Sequence, residues 1–119
     1  MASASPFRVQ FRMRVYRGGD IAIGPGKIAL LEAIEQTRSI SAAARKLGMS
    51  YRRAWLLVDE LNRSLREPAV ATAVGGAHGG GSSVTPTGLA LIQHYRAIET
   101  AAESAAAGEI RALKRLLAP

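Results

Sequence analysis

The side chains best equipped for chemistry lie in the run SYRRAW at residues 50–55. The planar fork of an arginine can pair bidentately with guanine O6 and N7, or with a phosphate. Tyr51 and Trp55, flanking Arg52 and Arg53, could bond a phosphate or stack on sugar and methyl groups. Bond-making chemistry is poorly supplied. The chain has no cysteine, hence no thiolate nucleophile, disulfide or cysteine metal site. His78 and His94 do not stand at metal-ligand spacing. No nucleophile–base pair or pair of carboxylates in an apolar setting stands out. GPGK at residues 24–27 lacks the GxxxxGK[ST] spacing of a phosphate loop. The expectation is a binding protein, not an enzyme, with no cofactor and no metal.

SYRRAW needs a scaffold to present it, and residues 39–65 supply one. Ser41 can cap a short helix of small apolar residues (Ala42, Ala43, Ala44, Leu47), and Gly48 ends it, because a residue just past a helix often needs positive φ. Ser50 is a suitable N-cap for a second helix. There Ala54, Leu57, Val58 and Leu61 make one buried face by their i, i+3, i+4, i+7 spacing. At about 100° per residue, Arg52, Leu56, Asp59 and Arg63 fall opposite that face. Tyr51, Trp55 and Asn62 lie on one flank, Arg53 and Glu60 on the other. This is the pattern of a helix-turn-helix over residues 41–65, with the arginines in the first turns of a recognition helix. The rival reading is an ordinary helical hairpin with solvated arginines.

The 119 residues, 48% apolar, suit a single folded domain over residues 1–119. The first six residues form a flexible start without the apolar run of a secretory signal. No stretch reaches the roughly 20 apolar residues of a membrane helix. A cytoplasmic, nucleoid-associated protein is expected. The formal net charge is +7 and is unevenly spread: residues 1–31 carry +4, residues 38–66 carry +5, and residues 67–119 are neutral. Positive charge gathered on two segments suits a polyanion-binding face.

Around this centre the chain reads as mainly α with small β-hairpins. Residues 7–16 alternate, Phe7, Val9, Phe11, Met13 and Val15 against Arg8, Gln10, Arg12 and Arg14, which predicts a strand with one buried face. Gly18, Gly19 and Asp20 make a turn, and Ile21 and Ile23 a partner strand. Pro25 opens a helix over about residues 25–37, and Lys27 in its first turn is a candidate backbone contact. Residues 69–85 predict a wing: Val70, Thr72 and Val74 in a first strand, a glycine-rich loop over residues 75–83, and Val84 in a second strand. Its main-chain N–H groups could approach phosphates at Gly79, Gly80 and Ser82. Thr85 and Pro86 start a long helical region over residues 86–117, rich in alanine. Its apolar stripe reads as a dimerisation arm: Leu89, Ile92, Tyr95, Ile98, Ala102 and Leu113. The alternative is a terminal helix docked on its own core.

GPGKIALLEAIEQTRSISAAARKLGMSYRRAWLLVDELN, followed by PAVATAVGGAHGGGSSVTPTGLALI, resembles the N-terminal DNA-binding domain of ModE-type molybdate-dependent regulators, a winged helix related to the LysR-type helix-turn-helix. The most specific pieces are SISAAARKLGMSYRRAW, the GGxxGGG wing and the TPTG start of the last helix. The resemblance implies a sequence-specific transcriptional regulator that binds palindromic double-stranded DNA as a homodimer. It implies DNA-facing roles for Ser50, Tyr51, Arg52, Arg53 and Trp55, to which Ser41 and Arg45 of the preceding helix are added. Full-length members continue into molybdate-binding domains. Ending at Pro119, this sequence is expected to be a standalone single-domain form, linked to molybdenum metabolism and served by a separate effector-sensing protein. Two rivals predict other behaviour. A non-specific nucleoid protein would use the same charges without reading bases. A small module using the glycine loops and helix N-termini would hold molybdate, another oxyanion or a partner.

Overall fold

A computed structural model describes residues 6–73 and 81–119. A short antiparallel hairpin, β1 (Val15–Arg17) and β2 (Asp20–Ile23), leads into α1 (Pro25–Thr37), α2 (Ile40–Leu47) and α3 (Tyr51–Ser64). A second hairpin, β3 (Val70–Thr72) with β4 (Ser82–Val84), precedes the 29-residue α4 (Pro86–Lys114). Val70 pairs with Val84 and Thr72 with Ser82. This is the element order of a winged helix-turn-helix with an added N-terminal hairpin.

Local chemistry sets the boundaries. Gly24 is extended and Pro25 occupies the first turn of α1. Arg38 ends α1 at φ 59°, ψ 25°, a left-handed conformation uncommon for a side chain of this size. The Arg38 carbonyl accepts the Ser82 N–H at 3.2 Å, fastening β4 to the α1–α2 corner. Gly48 closes α2 at φ 68° as expected, and Ser50 Oγ accepts the Arg53 N–H at 3.1 Å to cap α3. The cap of α2 is Ser39 instead of Ser41. Ser39 Oγ accepts the Ala42 N–H at 3.1 Å, and Ser41 sits inside the helix, its hydroxyl taking a bond from Arg45 Nη1. Starting α2 at Ile40 buries that side chain, which an entry at residue 42 would leave outside the helix.

The core lies where α1, α2 and α3 meet the base of the second hairpin. Ile28, Leu31, Ile34, Ile40, Ala44, Ala54, Val58, Leu61, Val70 and Val84 are all buried there. Ala43, Ala44 and Ala54 are small enough for α2 and α3 to cross closely. Gly88 serves the same end on α4: a Cβ there would fall 2.4 Å from the Ala69 carbonyl oxygen and 2.5 Å from Val84 Cγ1. Thr85 Oγ1 accepts the Gly88 N–H and donates to the Pro68 carbonyl, fixing α4 on the hairpin.

Three further expectations change. Only Val15 and Tyr16 of the alternating segment enter a strand, β1, because its partner is cut short where Gly24 and Pro25 begin α1. Residues 7–14 run on without a β ladder, yet the alternation persists in part: Phe7, Phe11 and Met13 are half-buried and Arg8, Arg12 and Arg14 exposed. Tyr95, assigned to a dimerisation stripe, is 2% exposed in its own chain's core, and its hydroxyl donates to the Met13 carbonyl at 2.8 Å. Its neighbour Arg96 grips Glu32 of α1 with two nitrogens and Glu99 with a third. The first three turns of α4 thus dock on the core. The last of the regular helix is Lys114, three residues short of the expected region.

Candidate nucleic-acid interface

The outward face of α3 follows from its buried one. With Ala54, Val58 and Leu61 inside, Arg52, Arg53, Leu56, Asp59 and Arg63 are all exposed. Tyr51 and Trp55 stand one turn apart with rings edge to face at 6.2 Å. This fixes two large amphipathic side chains beside the arginines. Among the described residues neither Arg52 nor Arg53 has a carboxylate partner, whereas Arg63 pairs with Asp59 at 3.0 Å. Arg52 and Arg53, with Ser50, Trp55, Leu56 and Asp59, frame a shallow concavity at the start of the helix. Two unpaired guanidiniums, two aromatic rings and an apolar Leu56 on a rigid helix can read hydrogen-bonding edges and methyl groups in a groove.

The other expected contact residues divide. Arg45 is exposed near the end of α2, and Ser41 beside it is half-buried. Lys27 turns inward: its Nζ donates to the Ile21 carbonyl at 2.5 Å and lies 3.4 Å from Glu60. It joins the N-terminal hairpin to α3 and is withdrawn from the surface, because the hairpin folds over the start of α1. Ser82, expected in the loop, belongs to β4 and is buried. Gly79, Gly80 and His78 lie outside the described residues. No group of three or more potential metal-ligating side chains occurs among the described residues, and none of their helices is long and apolar enough to cross a membrane.

Two features were missed from sequence. Asn62 Oδ1 accepts the N–H groups of Ala69 and Val70 at 2.8 and 3.2 Å, and its Nδ2 donates to the Val70 carbonyl. It ties the last turn of α3 to the second hairpin, and no periodicity could announce that. The other is a basic cleft of about 740 Å³ beside α3, where Arg12, Arg14 and Arg17 approach Arg53. The exposed row of Arg8, Gln10, Arg12 and Arg14 in the alternating segment was its only signal: such a row can touch phosphates, but its union with Arg17 and Arg53 was not legible.

This geometry can be set beside known proteins. The chain is 51% identical to a molybdenum-pterin-binding protein, MopB, of Rhodobacter capsulatus, over 65% of this chain and 28% of that protein. It is 36% identical to a molybdenum transport protein, ModE, of Azotobacter vinelandii, over 81% of this chain and 40% of the relative. The chain is a relative of the ModE and Mop proteins. A DNA-binding transcriptional dual regulator, ModE, of Escherichia coli K12 is 41% identical over 60% of this chain and 27% of its own length. The matches thus span well under half of each of these relatives. No family model matches the chain.

Proposed function

We propose that the chain is a sequence-specific, DNA-binding transcriptional regulator of the ModE and LysR-type helix-turn-helix class, serving molybdate physiology and acting as a homodimer on a palindromic operator. The observation that carries this reading is the face of α3, where Arg52 and Arg53 stand in the first turn beside the Tyr51–Trp55 pair with no carboxylate partner among the described residues. Arginine at the start of a recognition helix, followed by a β-hairpin, suits insertion into the major groove. The similarity to a regulator named as DNA-binding supports the same reading.

In this proposal Ser50, Tyr51, Arg52, Arg53 and Trp55 face DNA, with Ser41 and Arg45 of α2 beside them. Leu89, Ile98 and Leu113 on α4 are exposed in the single chain and are the apolar surface available for a second copy, with Ile92 and Ala102 half-buried beside them. Two reading helices related by a two-fold axis would enter successive major grooves about 34 Å apart. Selection from random duplexes at near-physiological salt tests the proposal. An enriched inverted repeat is the expected outcome. Retention without enrichment would replace it with non-specific nucleoid binding, and no retention would move the function to an oxyanion or a protein partner.

A further inference from the structure

We infer that the cleft between the N-terminal segment and α3 is a seat for the phosphate backbone of the duplex, so that Arg12, Arg14 and Arg17 belong to the DNA-binding surface. The inference rests on the proposed reading of α3 and adds a second contact region to it.

The cleft joins parts of the chain distant in sequence. Arg12, Arg14 and Arg17 come from the N-terminal segment and hairpin, and Arg53 from the first turn of α3. None of these four guanidiniums has a carboxylate partner among the described residues; the acidic side chains in the cleft are Asp20 and Glu60, and Glu60 is engaged by Lys27. Arg63, at the far end, is held by Asp59. The balance is strongly positive.

The site is also built. Residues 7–14 have no β ladder, but the Tyr95 hydroxyl holds the Met13 carbonyl at 2.8 Å, which pins the residues on either side, Arg12 and Arg14. The stem of Arg14 lies over Gly24, where a Cβ would sit 3.5 Å from its Cγ. Lys27, buried between the Ile21 carbonyl and Glu60, fastens the hairpin to α3. The arginines therefore project from an anchored segment.

Shape favours a polymer over a small anion. Arg53 and Arg63 are ten residues apart, about 15 Å along the helix axis. The cleft follows that length along the Arg53–Glu60 flank. A helix lying in a major groove about 12 Å wide has a sugar-phosphate strand along its flanks. Arg53 on that flank, with Arg12, Arg14 and Arg17 facing it across the cleft, meets that strand when the face of α3 opposite the core meets the bases. Arg53 borders both the cleft and the concavity at the helix start, so the two surfaces are continuous.

The test compares the full chain with an Arg12→Gln/Arg14→Gln/Arg17→Gln variant. A control, Arg111→Gln/Lys114→Gln/Arg115→Gln, removes the same charge at the far end of α4. Affinity is measured against salt on an enriched duplex and on an unrelated one. Each lost phosphate contact should flatten the log K against log salt slope by about 0.9. The cleft variant should therefore lose about two to three units, weaken both duplexes alike, and keep its preference between them; the control should keep the wild-type slope. Because all three arginines are exposed, the melting temperature should hold. Should the triple variant unfold, the single substitutions serve, each with a loss of about one unit. An unchanged slope in the cleft variant overturns the inference, as does equal flattening in the control. Stabilisation of the wild type by inorganic phosphate, lost in the cleft variant while its DNA slope is unchanged, also overturns it and assigns the cleft to a free anion. If the wild type binds no duplex, the proposed function itself has failed.

Discussion

Arg52 and Arg53 sit side by side but face different surroundings. Arg52 points away from the core, toward whatever the helix reads, and Arg53 borders the flanking cleft as well. If Arg52 makes a bidentate base contact, Arg52→Ala should cost about 1–3 kcal/mol and loosen the preference at one operator position. Arg53→Ala should weaken all sequences alike and flatten the salt slope by about one unit. Titration of both variants against operator and scrambled duplexes over a salt series separates the two roles, and wild-type binding by both would remove α3 as the reading helix. Tyr95 offers a different test. Its phenol is held above the usual tyrosine pKa, by burial first and by the Glu99 charge second. A raised value in the folded state means that the stabilisation is fully present below the unfolded value, near pH 10, and is lost as pH rises through the folded one. Thermal melts from pH 9 upward should show the wild type losing melting temperature more steeply than Tyr95→Phe.

The second hairpin is held to its neighbours at two points, Asn62 from α3 and Arg38 from the α1–α2 corner, and α4 crosses its base at Gly88. Asn62→Ala would leave the Ala69 and Val70 N–H groups without their acceptor and should cost about 1–3 kcal/mol for each that stays buried. Gly88→Ala forces a methyl into the Ala69 carbonyl and should destabilise by about 1–3 kcal/mol. Chemical denaturation of each variant checks both. At this scale the sequence was legible where one residue's conformation or one period decides the outcome. Gly48, Ser50, Pro25 and Thr85 ended or began helices where expected, and of the four residues spaced for burial Ala54, Val58 and Leu61 are buried and Leu57 is half-buried. It was illegible where distant segments decide. The length of β1 depended on where β2 stops. The cap of α2 shifted to Ser39 because Ile40 had a core to enter. Lys27 and Tyr95 found partners on other elements, Ile21 and Glu60 for one and Met13 for the other. The face of α3 was readable because it is local; the cleft beside it was not, because it joins residues 12–17 to residue 53.

The whole molecule is elongated, 58 × 35 × 23 Å, and α4 accounts for much of that length at about 43 Å. Its first turns are docked through Gly88, Tyr95 and Arg96. Ile98 and Leu113 further along, together with Leu116 just beyond the helix, are 46%, 59% and 87% exposed. Such apolar side chains gain from a partner surface. Under the proposed dimer, Ile98→Glu/Leu113→Glu should shift the protein to monomers in sedimentation and reduce operator affinity far more than affinity for an isolated half-site. The monomer should keep its helical content, because neither side chain is part of the buried core.

Asn62 and Arg38 have a consequence for the shape of any duplex bound. Where these ties hold, the end of α3 and the base of the second hairpin form a gauge of set opening. A groove wider or narrower than that gauge must itself deform, and the cost depends on the stiffness of the base steps involved. Steps that no side chain touches would then influence affinity. Exchanging a flexible TA step for a stiff A-tract between the stretches met by α3 and by the second hairpin should change binding by the wild type, and the difference should shrink in Asn62→Ala, whose jaws can give.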